Sequence, residues 1–294
     1  MSMLEELRAL TASVAERAGG SVVGIGQGWG TGSGFVFQEG LVATNAHHVR
    51  GDGAPSVILA DGSPVEAEVR GADLDGDLAV LAVDTRGAGP IAMADASPSV
   101  GDFVLGLTNP GGRGLRVTSG QVAAVGRSFP GPGGRAVTGT IEHTAPLPRG
   151  SSGAPLLDTS GRVVGINTNR LGEGLYAAIA ADGLGARLAA LAGGQVPQRR
   201  RLGIAIVPPV AARRLRQAVG LADREGLLVR SVAEAGPAAR SGIRAGDMLT
   251  VAGDTTLRGA EDLWGVLDRL GGSPTLDVSV VRGTEELVMT ISFV

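Results

Sequence analysis

Gly150-Ser151-Ser152-Gly153-Ala154-Pro155-Leu156-Leu157, followed across a polar break by Val163-Val164-Gly165-Ile166-Asn167-Thr168, is the stretch whose reading decides the fold. A loop of small residues runs into a short apolar segment, and a second apolar segment follows a few residues later. Both are too short for helices and are bounded by Gly, Asp and Ser, the pattern of successive β-strands. The same rhythm extends outward from Ser21 to about Ala180. It predicts strands at Phe35–Phe37, Leu41–Thr44, Ser56–Leu59, Val65–Arg70, Leu78–Val83, Val104–Leu107, Val117–Val125, Val137–His143, Pro155–Leu157, Val163–Asn167 and Tyr176–Ala180. Many short strands at this spacing make a mainly β sandwich or barrel.

Downstream the rhythm changes. Ala181 to Leu191 has Leu184, Leu188 and Leu191 on one helical side, and Gly193-Gly194-Gln195-Val196-Pro197-Gln198 with three arginines reads as a linker. The remainder alternates strands and helices: strands at Leu202–Val207, Leu227–Val232, Asp247–Val251, Leu276–Val281 and Glu286–Phe293, and helices at Pro209–Val219, Pro237–Ser241 and Ala260–Leu270. That is an α+β module of a size that folds alone. The organisation expected is a helical segment at 1–19, a β domain at 20–185, a linker at 186–200 and the α+β module at 201–294. Leu4, Leu7, Leu10 and Val14 recur at near-helical spacing in the first segment, as in an amphipathic helix packed on the body.

The 294 residues are 43% hydrophobic and 19% charged, with 49 glycines and 3% aromatics, so Val, Ile, Leu and Ala must fill the interior of a globular chain. The missing residue types exclude whole chemistries. Without Cys there is no disulfide framework, thiol nucleophile or thiolate zinc site. Without Lys there is no Walker A loop, Schiff base or Ser-Lys dyad. A net charge of −3 argues against nucleic acid as a partner, and Arg199-Arg200-Arg201 with Arg213-Arg214 reads as a solvated linker and helix face. Met1 to Gly19 lacks the basic and apolar regions of a signal peptide, and no segment is apolar enough to span a bilayer. As written the chain is expected to be cytoplasmic; it would be periplasmic or otherwise extracytoplasmic if upstream residues had been removed.

A serine nucleophile needs a base, a carboxylate behind the base, and donors aimed at the developing oxyanion. Ser152 lies among small residues that let the backbone turn tightly, yet such a stretch taken singly reads as a plain turn. His47 ends the strand Leu41–Thr44, where a lone histidine is more often structural. His47 and His48 as strand neighbours point to opposite faces and have no third ligand at zinc spacing, so no metal is expected. Asp77 stands directly before an apolar strand; Asp73, Asp75 and Asp77 imitate a calcium loop, but Leu78 occupies the position that needs Gly.

Taken together, these segments resemble the HtrA (Deg) family of serine proteases. Gly32-Ser33-Gly34-Phe35-Val36, Thr44-Asn45-Ala46-His47, Asp77-Leu78-Ala79-Val80-Leu81, Thr108-Asn109-Pro110-Gly111, Gly150 to Leu156 and Val163 to Thr168 follow that family's motifs in order. The resemblance implies a chymotrypsin-like double β-barrel with His47, Asp77 and Ser152 as catalytic residues and the N–H groups of Gly150 and Ser152 as oxyanion hole. It also implies a substrate pocket of Leu147, Ile166, Asn167, Thr168, Arg170 and Leu171, suited to a small aliphatic P1 residue such as Val or Ala and narrowed by Arg170. Ser151, Ala154 and Thr144 stand where the family has Asn, Gly and Asp.

The second module resembles the family's PDZ domain through Gly236-Pro237-Ala238-Ala239 and Gly242-Ile243-Arg244-Ala245-Gly246-Asp247. Its peptide-binding residues would be Arg201, Leu202, Gly203, Ile204, Ala205 and Ile206. The family implies ATP-independent endoproteolysis of unfolded or damaged proteins, PDZ recognition of peptide C-termini, a homotrimer, and no cofactor. The competing expectation is a noncatalytic peptide-binding or chaperone-like module with an inactive triad; a carboxylesterase would need a Gly-x-Ser-x-Gly elbow that is absent.

Overall fold

In the computed structural model, which describes residues 2–27, 30–50, 54–131, 135–197, 199–221 and 224–293, the chain divides into two compact units, Met1–Pro197 and Gln198–Val294. The first opens with helix α1, Met3–Ala18, started by a reciprocal cap in which Ser2 and Glu5 exchange side-chain bonds. Its apolar stripe is narrower than the sequence suggests. Val14 and Ala18 are buried and Leu10 packs beside them, whereas Leu4 and Leu7 are exposed.

Seven strands follow: β1 Val22–Gln27, β2 Gly30–Gln38, β3 Leu41–Thr44, β4 Ser56–Ile58, β5 Pro64–Glu66, β6 Glu68–Asp73 and β7 Leu78–Ala82. They pair in the order β5-β4-β1-β2-β3-β7-β6. The two ends of this order, β5 and β6, are separated in sequence only by Ala67, so the sheet returns on itself through the chain rather than through a ladder. The single strand expected at Val65–Arg70 is therefore two, bent at Ala67, whose N–H turns to the Pro55 carbonyl. β1 lay outside the expected strands because Gly24 and Gly26 thin its apolar run.

The second half is a closed barrel of β8 Phe103–Thr108, β9 Arg116–Pro130, β10 Ala136–His143, β11 Pro155–Leu157, β12 Val163–Gly172 and β13 Leu175–Ala180, ordered β10-β13-β12-β11-β8-β9. Helix α2, Leu184–Ala192, buries Leu184, Leu188 and Leu191.

Strand alternation explains the continuous apolar runs. Val36 and Leu81 point into the first sheet's own interior, and Val104 and Leu156 into the second barrel's. Their neighbours Phe35, Val80, Leu105 and Leu157 point the other way, into one core that both halves share with α1 and α2. A strand buried on both faces has no polar face to show.

The second unit carries β14 Ile204–Ile206, helix α3 Pro209–Ala218, β15 Leu227–Val232, the short helix α4 Pro237–Arg240, β16 Met248–Ala252, β17 Thr255–Thr256, helix α5 Ala260–Arg269, β18 Thr275–Arg282 and β19 Glu285–Ser292. The sheet order is β14-β15-β16-β18-β19, with β17 beside β16. Leu263, Val266 and Leu267 of α5 pack onto it with Leu227, Val229 and Val278.

Leu105 is fully buried in the shared core, so Leu105→Ala leaves a cavity there. It is expected to cost about 2–5 kcal/mol, measured as a lowered urea midpoint of the first unit's transition.

Candidate active site

Three loops from three parts of the first unit supply the site. After β3, Asn45 stays extended and Ala46–Val49 forms a 3-10 turn carrying His47. Before β7, Asp77 takes φ +51°, a left-handed conformation rare outside glycine. Several bonds hold it there. The Asn45 side-chain amide donates to the Asp77 carbonyl (2.9 Å), and the carboxylate accepts the His47 backbone N–H (3.1 Å) and the Thr168 hydroxyl (2.7 Å).

The same carboxylate lies 2.9 and 3.0 Å from His47 Nδ1. An ionised carboxylate only accepts, so Nδ1 carries the proton and Nε2 keeps its lone pair. The Asp77 side chain is 1% exposed and that of His47 31%, so the imidazole can be reached from solvent while the carboxylate cannot.

Ser152 enters from the loop before β11. Its hydroxyl donates to the Thr168 carbonyl (2.8 Å) rather than to His47. His47 and Ser152 nevertheless line one cavity of about 340 Å3, with Thr31, Gly32, His48 and Arg50. Ser33 clamps the loop: its N–H donates to the Ser152 carbonyl (2.9 Å) and its hydroxyl to the Gly150 carbonyl (2.9 Å). Gly153 has φ +85°, and a Cβ there would lie 2.1 Å from the Ser33 carbonyl oxygen. Among the described residues, the N–H groups of Gly150 and Ser152 have no hydrogen-bond partner.

A second cavity of about 270 Å3 adjoins Ser152. Of the expected pocket residues, Leu147, Asn167, Thr168 and Arg170 line it. Ile166 and Leu171 do not. Ile166 points into the shared core, and Leu171, at the irregularity between Arg170 and Gly172, is exposed. Arg149 and Tyr176 line the cavity without having been expected there. Arg170 donates to the Leu147 carbonyl (2.9 Å) and sits over the Tyr176 ring at 5.3 Å. Ser33 and the Asp77 contact of Thr168 were also unforeseen; their sequence signal is only a polar residue inside an apolar strand.

His48 shares the turn with His47, so the two rings meet edge to face at 4.3 Å instead of facing apart across a strand. Thr44 donates its hydroxyl to the Ser33 carbonyl (2.8 Å), which makes His48 Nδ1 the donor to Thr44 (3.0 Å). Burial, with neighbouring His47 adding to it, pushes the His48 pKa down to about 3. His143, fully buried behind Asn167, is pushed down to about 4 by burial, against a hydrogen bond to Asn167.

In the second unit, Leu202 is buried and its carbonyl accepts the Ala238 N–H (2.9 Å), while Arg201 is exposed. Gly203 has φ +76° and accepts from Ala233 (2.8 Å). Ile204, Ala205 and Ile206 form β14, an edge of the sheet paired only with β15 among the described residues.

Comparisons with known proteins agree with this arrangement. Residues 32–166 match the family model of a trypsin-like peptidase domain and residues 196–293 that of a PDZ domain. The class is therefore a trypsin-like peptidase domain joined to a PDZ domain. A putative serine protease HhoA of Synechocystis sp. is 31% identical over 276 residues, covering 89% of this chain and 70% of the relative. A probable periplasmic DegP-like serine endoprotease of Brucella suis is 35% identical over 273 residues, covering 89% of this chain and 52% of the relative, so the chain spans about half that relative's length. The chain belongs to the HtrA (Deg) family. Among solved structures, a serine endoprotease from Yersinia pestis superposes with TM-score 0.66 at 26% identity, each chain covered to 96%. The HtrA-type protease AlgW with a decapeptide shares the fold, with TM-score 0.69 at 24% identity and 96% and 97% of the two chains covered.

The lowered histidines make stability depend on pH. An unfolded chain protonates both below about 6.5, the folded chain only near 3 and 4, so between these values the unfolded state binds more protons. Stability is therefore expected to fall as pH drops from about 6.5 toward 4, read from urea midpoints across that range. His48→Val should flatten the slope; a slope unchanged by the substitution would show that His48 titrates normally.

Proposed function

We propose that the chain is an ATP-independent serine endopeptidase acting on unfolded or damaged proteins, with the PDZ domain holding peptide C-termini. The observation that carries this reading is the buried Asp77 carboxylate bonded to His47 Nδ1, with His47 and Ser152 on one cavity wall.

In this reading Ser152 exchanges its bond to the Thr168 carbonyl for one to His47 Nε2. The base takes the hydroxyl proton as Oγ attacks the scissile carbonyl. The tetrahedral oxyanion is held by the N–H groups of Gly150 and Ser152, which have no partner among the described residues to give up. The imidazolium, steadied by Asp77, passes its proton to the departing amine. A water activated by the same base then releases the acyl group from Ser152.

Thr168 ties the arrangement together, since one residue supplies a hydroxyl to Asp77 and a carbonyl to Ser152. At the PDZ domain, backbone N–H groups of Arg201 to Ile204 would hold a terminal carboxylate, and the free edge of β14 would accept the peptide as an added strand. A homotrimer working in the periplasm is the assembly and compartment favoured by the family and by the Brucella relative's name.

A fluorophosphonate probe should label the wild-type chain and fail on Ser152→Ala, which should also lose casein cleavage; an unlabelled, inactive wild type would sink the enzyme reading. Asp77→Asn should leave Ser152 in place but lower kcat by about 10^4-fold through loss of the correct His47 tautomer. For the PDZ domain, amidating the carboxylate of a bound C-terminal peptide should weaken binding in a polarisation assay, whereas equal affinity would count against terminal recognition.

A further inference from the structure

The two cavities that meet at Ser152 differ in chemistry, and His47 decides which side of a peptide each takes. His47 delivers its proton to the leaving amine, so the cavity lined by His47 receives the leaving-group side. The other cavity then receives the side chain on the acyl side, P1. This inference rests on the endopeptidase reading above.

That acyl-side cavity carries cations. Arg149 and Arg170 line it, and among the described residues no carboxylate does. Arg170 is held by two contacts, the bond from Nη2 to the Leu147 carbonyl and the stack over Tyr176. Tyr176 is backed in turn by the buried His143 ring at 5.8 Å, itself bonded to Asn167. A guanidinium has five N–H donors in a planar fork, and the Leu147 bond uses one of them. A charged fork held in place beside an opening of about 270 Å3 is suited to a carboxylate, which it can bind through paired hydrogen bonds.

We propose that the cavity flanked by Leu147, Arg170 and Tyr176 selects an acidic P1 residue, aspartate or glutamate, with Arg170 as the specificity-determining group. This departs from the small aliphatic P1 that an apolar lining would favour. Of the apolar positions expected to form such a lining, Leu147 lines the cavity and Leu171 does not, while its neighbour Arg170 does.

The test uses the full chain and peptides with identical flanks, varied at P1 among Glu, Gln, Asp, Asn, Val, Ala and Arg. The wild type should cleave after Glu at least about ten-fold faster, in kcat/KM, than after its neutral isostere Gln, the difference lying mainly in KM. Arg170→Gln should bring the Glu-to-Gln ratio close to one, and Arg170→Glu should move the preference to P1 Arg. Thermal melting and fluorophosphonate labelling of each variant separate lost selectivity from lost fold. A wild type that labels but cuts only after Val or Ala overturns the acidic-P1 proposal and leaves the endopeptidase reading standing. A Glu-to-Gln ratio near one, or one unchanged in Arg170→Gln, does the same. A wild type that neither labels nor cuts any peptide overturns both.

Discussion

A carboxylate stripped of water has to be given hydrogen-bond donors, and the Asp77 side chain is where this chain meets that demand. Removing a charge from water costs several kcal/mol unless partners replace the lost hydration. The partners come from far apart in sequence: the backbone and ring N–H of His47 on the turn after β3, and the hydroxyl of Thr168 on β12. The first sheet and the closed barrel must therefore be joined before the charge is accommodated. The fold and the proposed catalytic machinery stabilise each other through a single buried group.

The shared core provides the frame. Because strands such as β7 and β11 send alternate residues to their own interior and to the common layer, neither half can shift without disturbing both sets of contacts. That rigidity carries directly into the loops. Ser33 sits on β2 one residue from strand positions buried on both faces, and from there it holds two carbonyls of the Ser152 loop. Loop precision is inherited from strand packing.

Much of this was legible in the sequence. Strands buried on both faces give unbroken apolar runs, so most of the first unit and all of the helices could be placed from pattern alone. β1 escaped because its glycines interrupt the run, and the bend at Ala67 escaped because nothing in Val65 to Arg70 marks a corner. In the site, Ser152, His47 and Asp77 were expected together from their order and flanks, and the structure sets His47 against Asp77 and on one cavity with Ser152. The bonds of Ser33 and Thr168 were not, because a buried hydroxyl reveals itself only through a partner distant in sequence. At the pocket the neighbours Arg170 and Leu171 were both expected; Arg170 lines the cavity and Leu171 does not, a difference that pattern cannot show where β12 is bulged.

The first sheet's return at Ala67 joins its two edge strands, β5 and β6, end to end. Open edges are templates on which a foreign chain can add a strand. Here Pro64 withholds a backbone donor, and Glu66, Glu68 and Arg70 stand exposed along the two strands, with Glu68 and Arg70 3.5 Å apart. Any extended polypeptide laid against this seam would have to displace water from those charges while finding one donor missing. A corner that interrupts the ladder thus keeps its flank unreceptive to an added strand.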